Sequence, residues 1–169
     1  MRLSNDGIVP SVVYIEACEN YQKQSWRNRC RIFTESGAQD LRVPVIHEGG
    51  THSLPIHEIK IDWSTPWLVQ SERAISSAYE SSAFFDYYKD ELFDILNSKP
   101  ETLFEFNLNI IRFFLSKTGI SAEIRLTENY TGRNSGVYGQ DMRDVIHPKR
   151  ANSILEDLDL KKPYYQVFA

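Results

Sequence analysis

A basic segment near the N-terminus carries the residues best suited to bind an anion. Residues 20–31, NYQKQSWRNRCR, contain no acidic residue, although the whole chain has a formal net charge of −4. Their cations are Lys23, Arg27, Arg29 and Arg31. The alternation of WRNRCRIF at 26–33 predicts a strand with its three arginines on one face, about 6–7 Å apart. Guanidinium groups at that spacing could bind phosphates or carboxylates. The alternative is a solvated sheet face without a ligand.

A second group of charged side chains lies in the stretch DMRDVIHPK at 141–149. It supplies Asp141, Arg143, Asp144, His147 and Lys149. A histidine close to a carboxylate and a lysine can act as a general base. The same side chains could equally form a surface ion-pair network that performs no chemistry.

The sequence contains no metal or cofactor motif. HEGGTH at 47–52 has two histidines five residues apart, whereas the zinc-protease motif needs a spacing of four on a helix. No glycine-rich dinucleotide-binding or phosphate-binding loop occurs. Cys18 and Cys30 lie in apolar stretches and are predicted to be small core residues. We therefore expect neither a metal nor a cofactor.

The elements that must position these residues change from strands to helices along the chain. Apolar or alternating residues predict strands at 12–18, 26–33, 41–46, 56–62 and 122–128. Helical spacing of apolar residues predicts helices at 66–80, at 82–97 and from a Thr102–Glu105 capping box to Lys117. This order favours an α+β or mixed α/β fold, with central helices packed on a mixed sheet and a late returning strand. The length predicts one domain over residues 1–169.

The composition is typical of a globular protein in a reducing compartment. The chain has 169 residues, 41% of them hydrophobic, and no apolar run long enough to span a membrane. No signal peptide is recognisable, and two cysteines are too few for a disulfide framework. We therefore expect a cytoplasmic protein. The isoelectric point near 5.6 argues against nucleic-acid binding, although Trp26 and Tyr21 beside the basic strand could stack on a single strand's bases.

Several stretches resemble, in the same order, the WbqC-like family of bacterial proteins. They are YIEACENYQKQSWRNRCRI at 14–32, VPV at 43–45, HSLPIHEIKIDWSTPW at 52–67, IxxAYxSSxFFxYY at 75–88, DxRDxIxPK at 141–149 and KPYYQVFA at 162–169. Members often lie in gene clusters for O-antigen or capsule synthesis. The resemblance implies a transferase or an accessory protein in surface-polysaccharide biosynthesis. It also implies a family domain that extends beyond both ends of this sequence.

The resemblance gives a role to individual polar residues. Lys23, Asn28 and Arg29 match the family's N-terminal polar motif, and Arg143 and Lys149 match its late motif. Together with the basic strand they form a predicted substrate-binding set: Lys23, Arg27, Asn28, Arg29, Arg143 and Lys149. The ligand implied is a small anionic activated substrate, either a nucleotide sugar or an acyl donor.

The catalytic candidate is His52, which matches the family's histidine before the PI dipeptide. Ser71 stands where members usually carry a second histidine. The main hypothesis is a transferase that uses His52 as its acid or base. The alternative is a non-catalytic ligand-binding or scaffold subunit of the same pathway, which Ser71 favours because a hydroxyl is no base at neutral pH. Both hypotheses are compatible with an oligomer.

Overall fold

The computed structural model describes residues 12–46, 53–143 and 145. In chain order these residues form β1 (Val12–Ile15), β2 (Arg29–Thr34), β3 (Gly37–Arg42), α1 (Trp67–Tyr79), α2 (Phe85–Asn97), α3 (Leu103–Lys117) and β4 (Glu123–Leu126). A short 3-10 helix at Ile56–Glu58 precedes α1. The predicted α+β class is confirmed. No helix in the described part of the chain is long and apolar enough to cross a membrane.

The strands in these residues form two separate two-stranded sheets, which corrects the prediction of one mixed sheet. β1 and β4 pair in parallel, with Val12 opposite Glu123 and Ile15 opposite Leu126. The predicted late strand therefore does return, and the helices form part of the long crossover that a parallel pair requires. β2 and β3 form an antiparallel hairpin. Its turn uses Gly37, whose φ of +109° is a conformation that glycine adopts readily.

The three helices begin and end close to where the sequence predicts. The side-chain oxygen of Thr102 accepts a hydrogen bond of 3.2 Å from the backbone N–H of Glu105, which caps α3. Gly119 follows the end of α3 with a φ of +68°. α1 packs against the β2–β3 hairpin, and α3 packs against α2 and the 3-10 helix.

The strand predicted at 56–62 begins instead with the 3-10 helix. Ile56 and Ile59 are both buried, at 5% and 1% exposure. Residues three apart lie on the same side of a 3-10 turn but on opposite faces of a strand, so this burial fits the turn. Ile61 then forms an isolated antiparallel bridge with Val45. The strand predicted at 41–46 is likewise displaced to β3, which ends before Pro44, a residue without a backbone donor.

The hydrophobic core lies between the helices and the segment that precedes them. Trp67 of α1 and Phe106 of α3 meet edge to face with their ring centroids 5.8 Å apart. Leu103, at the start of α3, is fully buried beside them. Burying one such leucine contributes roughly 1.5–3 kcal/mol. This core holds the helices in place, whereas the charged residues lie at its edge, on the hairpin and on the loops that follow β1 and β4.

Candidate functional site

The parallel pairing of β1 and β4 brings together the two loops that follow these strands. The N–H of Thr127 donates to the carbonyl of Ile15 at 3.1 Å, which extends the ladder by one residue. The hydroxyl of Thr127 then accepts from the N–H of Ala17 at 3.0 Å and donates to the carboxylate of Glu16 at 2.7 Å. Segments more than 100 residues apart in sequence are therefore joined at one point.

Glu16 is the centre of this junction. Its side chain is only 7% exposed, and its carboxylate also accepts hydrogen bonds from the N–H groups of Cys18, at 2.8 Å, and Thr131, at 3.0 Å. Burial alone would raise the pKa of Glu16. The hydrogen bonds, with a smaller contribution from Arg143, outweigh burial, so the pKa of Glu16 is lowered.

Arg143 fastens the loop after β4. Its guanidinium donates to the carbonyl of Thr131 at 2.9 Å, pairs with Asp141 and lies 3.5 Å from Glu16. The hydrogen bonds from Arg143 are the main reason that the pKa of Asp141 lies far below its usual value. In its described residues, the polar stretch at 141–149 therefore contains an ion pair, between Asp141 and Arg143. This agrees with the alternative interpretation of that stretch, in which its charged side chains pair with each other and perform no chemistry.

Glu19 and Arg27 form a second pair beside this junction. The side chain of Glu19 is 8% exposed and pairs with the guanidinium of Arg27, and Arg133 lies 3.9 Å from its other oxygen. Burial lowers the pKa of Arg27, as does the positive charge of Arg133. The backbone carbonyl of Arg27 also accepts a hydrogen bond of 2.7 Å from Asn107 of α3.

We call these residues the loop cluster: Glu16, Glu19, Arg27, Arg133, Asp141 and Arg143. Three carboxylates balance three guanidinium groups within it. An incoming anion would have to displace a buried carboxylate to reach Arg27 or Arg143, which is costly. The loop cluster is therefore suited to hold two loops together rather than to receive a ligand.

The prediction that Arg27 shares a sheet face with Arg29 and Arg31 is wrong. β2 begins at Arg29, because residues 23–28 form turns and bends, and the hydroxyl of Ser25 donates to the carbonyl of Gln22 at 2.7 Å. Arg27 therefore lies before the strand and belongs to the loop cluster, where it pairs with Glu19.

The β2–β3 hairpin carries a separate set of charges on one face. The register places Arg29 opposite Arg42 and Arg31 opposite Asp40. Arg31 donates to Asp40 at 2.7 Å, and Arg42 lies 3.9 Å from the same carboxyl group. The hydrogen bond from Arg31 is the main cause of the lowered pKa of Asp40. We call Trp26, Arg29, Arg31, Asp40 and Arg42 the basic hairpin face.

Trp26 orients two of these arginines. The guanidinium carbons of Arg29 and Arg31 lie 5.1 and 5.5 Å from the centroid of its ring. Arg29 also donates from Nη2 to the carbonyl of Gln24 at 2.8 Å, while its Nε is buried and donates to no partner. The face thus has three guanidinium groups for one carboxylate, in contrast to the balanced loop cluster.

The other predicted site residues are dispersed. Asn28 donates from its side chain to the carbonyl of Val43 at 3.1 Å and so ties the base of the hairpin. Lys23 is exposed in the turn before β2, next to the residue whose carbonyl Arg29 contacts. Ser71 is partly buried on α1. His52 and Lys149 lie outside the described residues. Cys18 is half-buried and Cys30 is exposed, so the prediction of two core cysteines is wrong for Cys30.

His57 is a candidate base that the sequence did not single out. Its Nδ1 lies 2.6 Å from the backbone carbonyl oxygen of Ala17. In the sequence, Ala17 lies between the buried Glu16 and Glu19. Donation from Nδ1 to that carbonyl leaves Nε2 as the basic nitrogen of the neutral ring. The side chain is 43% exposed. Residues 12–46, 53–143 and 145 show no group of three His, Cys, Asp or Glu side chains that could hold a metal ion.

The loop cluster should make the free energy of unfolding fall at acidic pH. Because the pKa values of Glu16 and Asp141 are lowered in the folded protein, the unfolded chain binds protons at a higher pH than the folded chain does. Their stabilisation is present above the unfolded pKa values, near 4, and is lost as the pH falls through the folded values. We expect urea unfolding to show a falling free energy below about pH 4.5, with a shallower fall in Glu16→Gln. Equal slopes in the two proteins would contradict this assignment.

Comparison with known proteins places the chain in a family. A model of the WbqC-like protein family matches residues 10–162. An uncharacterized protein of Mycobacterium tuberculosis, Rv1507c, is 34% identical over 111 residues, which are 65% of this chain and 47% of that protein. The chain thus spans about half the length of this curated relative. No solved structure gives a significant match. The match over most of its length shows that this chain belongs to the WbqC-like protein family.

Proposed function

We propose that this WbqC-like protein binds an anionic activated precursor during the synthesis of bacterial surface polysaccharides, and that the basic hairpin face receives its charged group. The observation that carries the proposal is the surplus of positive charge, three guanidinium groups to one carboxylate. A nucleotide sugar or a phosphate-bearing acyl donor would balance this surplus. The proposed compartment is the cytoplasm, where the free thiols of Cys18 and Cys30 would stay reduced.

The pairing of Arg29 with Arg42 supports this choice of surface. Like charges directly opposite each other on neighbouring strands destabilise a sheet. A phosphate bound between the two guanidinium groups would turn this repulsion into attraction. Trp26 supports the proposal further, because an arginine already held against a ring loses less freedom when it binds.

Within this proposal the predicted substrate-binding residues that the structure describes have three different roles. Arg29 would contact the anion, and the exposed Lys23, the sequence neighbour of the Gln24 that Arg29 contacts, would add positive charge. Arg27 and Arg143 would hold the loops after β1 and β4, because buried carboxylates already pair with them. Asn28 would fix the base of the hairpin on which the face is built.

A transferase activity is the second candidate, and His57 favours it. The contact of its Nδ1 with the Ala17 carbonyl leaves Nε2 available to accept a proton from an acceptor hydroxyl. Ser71, in place of the family histidine, favours a non-catalytic accessory subunit instead. Turnover of a bound donor, lost in His57→Gln with donor affinity unchanged, would decide for the transferase.

Replacing Arg29 by glutamine is expected to weaken the binding of UDP-glucose or inorganic pyrophosphate at least about tenfold, since a charged hydrogen bond is lost. Isothermal titration calorimetry measures this. Asp40→Asn removes the competing carboxylate and should strengthen binding of the same probes. Arg73→Gln, an exposed change on α1, is the control for net charge and should have little effect. The proposal fails if neither probe binds, or if Arg29→Gln and Arg73→Gln behave alike.

A further inference from the structure

The outer edge of β4 has no strand beside it in the described part of the chain. β1 and β4 form a two-stranded parallel sheet, and among the described helices and strands β4 lies beside β1 alone. An isolated two-stranded sheet is only marginally stable in water, whereas three or more strands support one another. An open strand edge pairs readily with a strand of another chain. The edge of β4 is therefore a candidate interaction surface.

The pairing with β1 shows which backbone groups of β4 point outward. The N–H of Thr127 donates to the carbonyl of Ile15 at 3.1 Å, so the backbone groups of Thr127 face β1. Those of every second residue face the same edge of a strand, and the N–H and C=O of Ile124 and Leu126 therefore point away from β1. Within residues 12–46, 53–143 and 145, no hydrogen bond uses these outward groups.

The side chains of β4 carry one charge of each sign on the same face. Glu123 and Arg125 are both exposed, and Arg125 donates to the two carboxylate oxygens of Glu123 at 2.8 and 3.0 Å. Arg125 also donates to the hydroxyl of Tyr14 at 3.2 Å. The other face carries the half-buried Ile124 and also Leu126, which is 43% exposed. A glutamate and an arginine two residues apart make this strand complementary to an antiparallel copy of itself.

An antiparallel second copy of β4 fits the edge in one register. With Ile124 opposite Ile124 of the second copy, outward backbone groups meet outward groups. The same register puts Glu123 of each copy opposite Arg125 of the other, and the two pairs are equivalent by symmetry. A shift of two residues puts either two arginines or two glutamates opposite each other, which destabilises a sheet. A shift of one residue puts outward groups opposite groups that already face β1.

We propose that two copies of this chain form a symmetric dimer through β4. The four strands would make one sheet in the order β1–β4–β4–β1, with the N–H and C=O of the two Ile124 residues bonded to each other at its centre. Because the paired segment is short, we expect a weak and reversible dimer. The dimer uses neither the basic hairpin face nor the loop cluster, so the proposal is independent of the proposed function.

Sedimentation of the full chain at concentrations up to about 1 mM tests for the dimer, since that range detects even weak association. Ile124→Pro removes the outward N–H at the centre of the pairing and no donor to β1, and proline is tolerated at a strand edge. The dissociation constant of the dimer should rise at least about tenfold, with the melting temperature showing that the variant folds. The proposal is overturned if the unchanged protein stays monomeric, or if it dimerises and the folded proline variant dimerises equally well.

Charge reversal tests the register and does not depend on the proline variant. Arg125→Glu and Glu123→Arg each place like charges opposite each other in both pairs of a homodimer, so each should weaken association about tenfold or more. An equal mixture of the two variants restores opposite charges across the strands, although the charges within each strand stay alike. The mixture should therefore form a heterodimer.

Arg73→Glu, an exposed charge reversal on α1, is the control and should dimerise as the unchanged protein does. A mixture that associates no more tightly than either variant alone contradicts the proposed register and overturns the proposal. A dimer that Arg125→Glu and Arg73→Glu weaken equally also overturns it, because the two copies would then meet through another surface.

Discussion

Replacing Arg27 by alanine is expected to lower the free energy of unfolding by about 3 kcal/mol. The change leaves the carboxylate of Glu19, which is 8% exposed, without its main counter-charge. Arg133, 3.9 Å away, compensates in part, and the 25% exposure of Arg27 admits some water. For both reasons the loss should lie at the lower end of the range for a broken buried ion pair. Urea unfolding at neutral pH measures it.

Two further variants show whether the buried charge causes this loss. The double variant Arg27→Gln with Glu19→Gln removes both charges and should recover much of the stability. Arg125→Ala breaks an exposed pair with Glu123 and should cost much less stability than Arg27→Ala. If Arg27→Ala costs no more than Arg125→Ala, Arg27 is not needed for folding. Its predicted role in substrate binding would then be the better explanation of its position.

The helices could be predicted because their signals are local. Thr102 and Glu105 are three residues apart, and their contact needs nothing from the rest of the chain. Gly119, just past the end of α3, is equally a signal within one turn. The apolar stripe of α3 then decides which side faces the core.

The strands depended on contacts that the sequence does not reveal. The sequence predicts a strand at Ile56 and Ile59, because β-branched residues in a short run do not distinguish a strand from a 3-10 turn. The sequence also predicts that β2 begins three residues too early, since the alternation of residue types extends back to Trp26 although the backbone there forms turns. Long-range packing decides both cases, so local patterns could not.

In the candidate sites, too, local relations could be predicted from the sequence and long-range contacts could not. Alternation correctly indicates that Arg29 and Arg31 share a face, because that relation depends only on the period of a strand. The partners of Glu16 come from Thr127 and Thr131, more than 100 residues away, and no spacing predicts them. One signal in the sequence does point to Glu16, because its carboxylate comes directly after an apolar strand. A charged group at such a position needs a partner when it is buried.

Replacing Glu16 by alanine is expected to free the loop that follows β4. The substitution leaves the N–H groups of Cys18 and Thr131 without their acceptor and Arg143 with less compensating charge. A buried donor without a partner costs about 1–3 kcal/mol. We therefore expect amide hydrogen exchange of residues 127–143 to be faster by about 100-fold, which corresponds to about 2.7 kcal/mol.

The effect should be confined to this loop, because the core between α1 and α3 does not include Glu16. Amides of α3 should therefore exchange as in the unchanged protein. Glu16→Gln keeps the shape and one acceptor oxygen, so it should give an intermediate increase. The stacked rings of Tyr14 and Tyr138, with centroids 4.2 Å apart, are a second attachment of the same loop. If exchange of residues 127–143 is unchanged in Glu16→Ala, this aromatic contact holds the loop and the buried carboxylate does not.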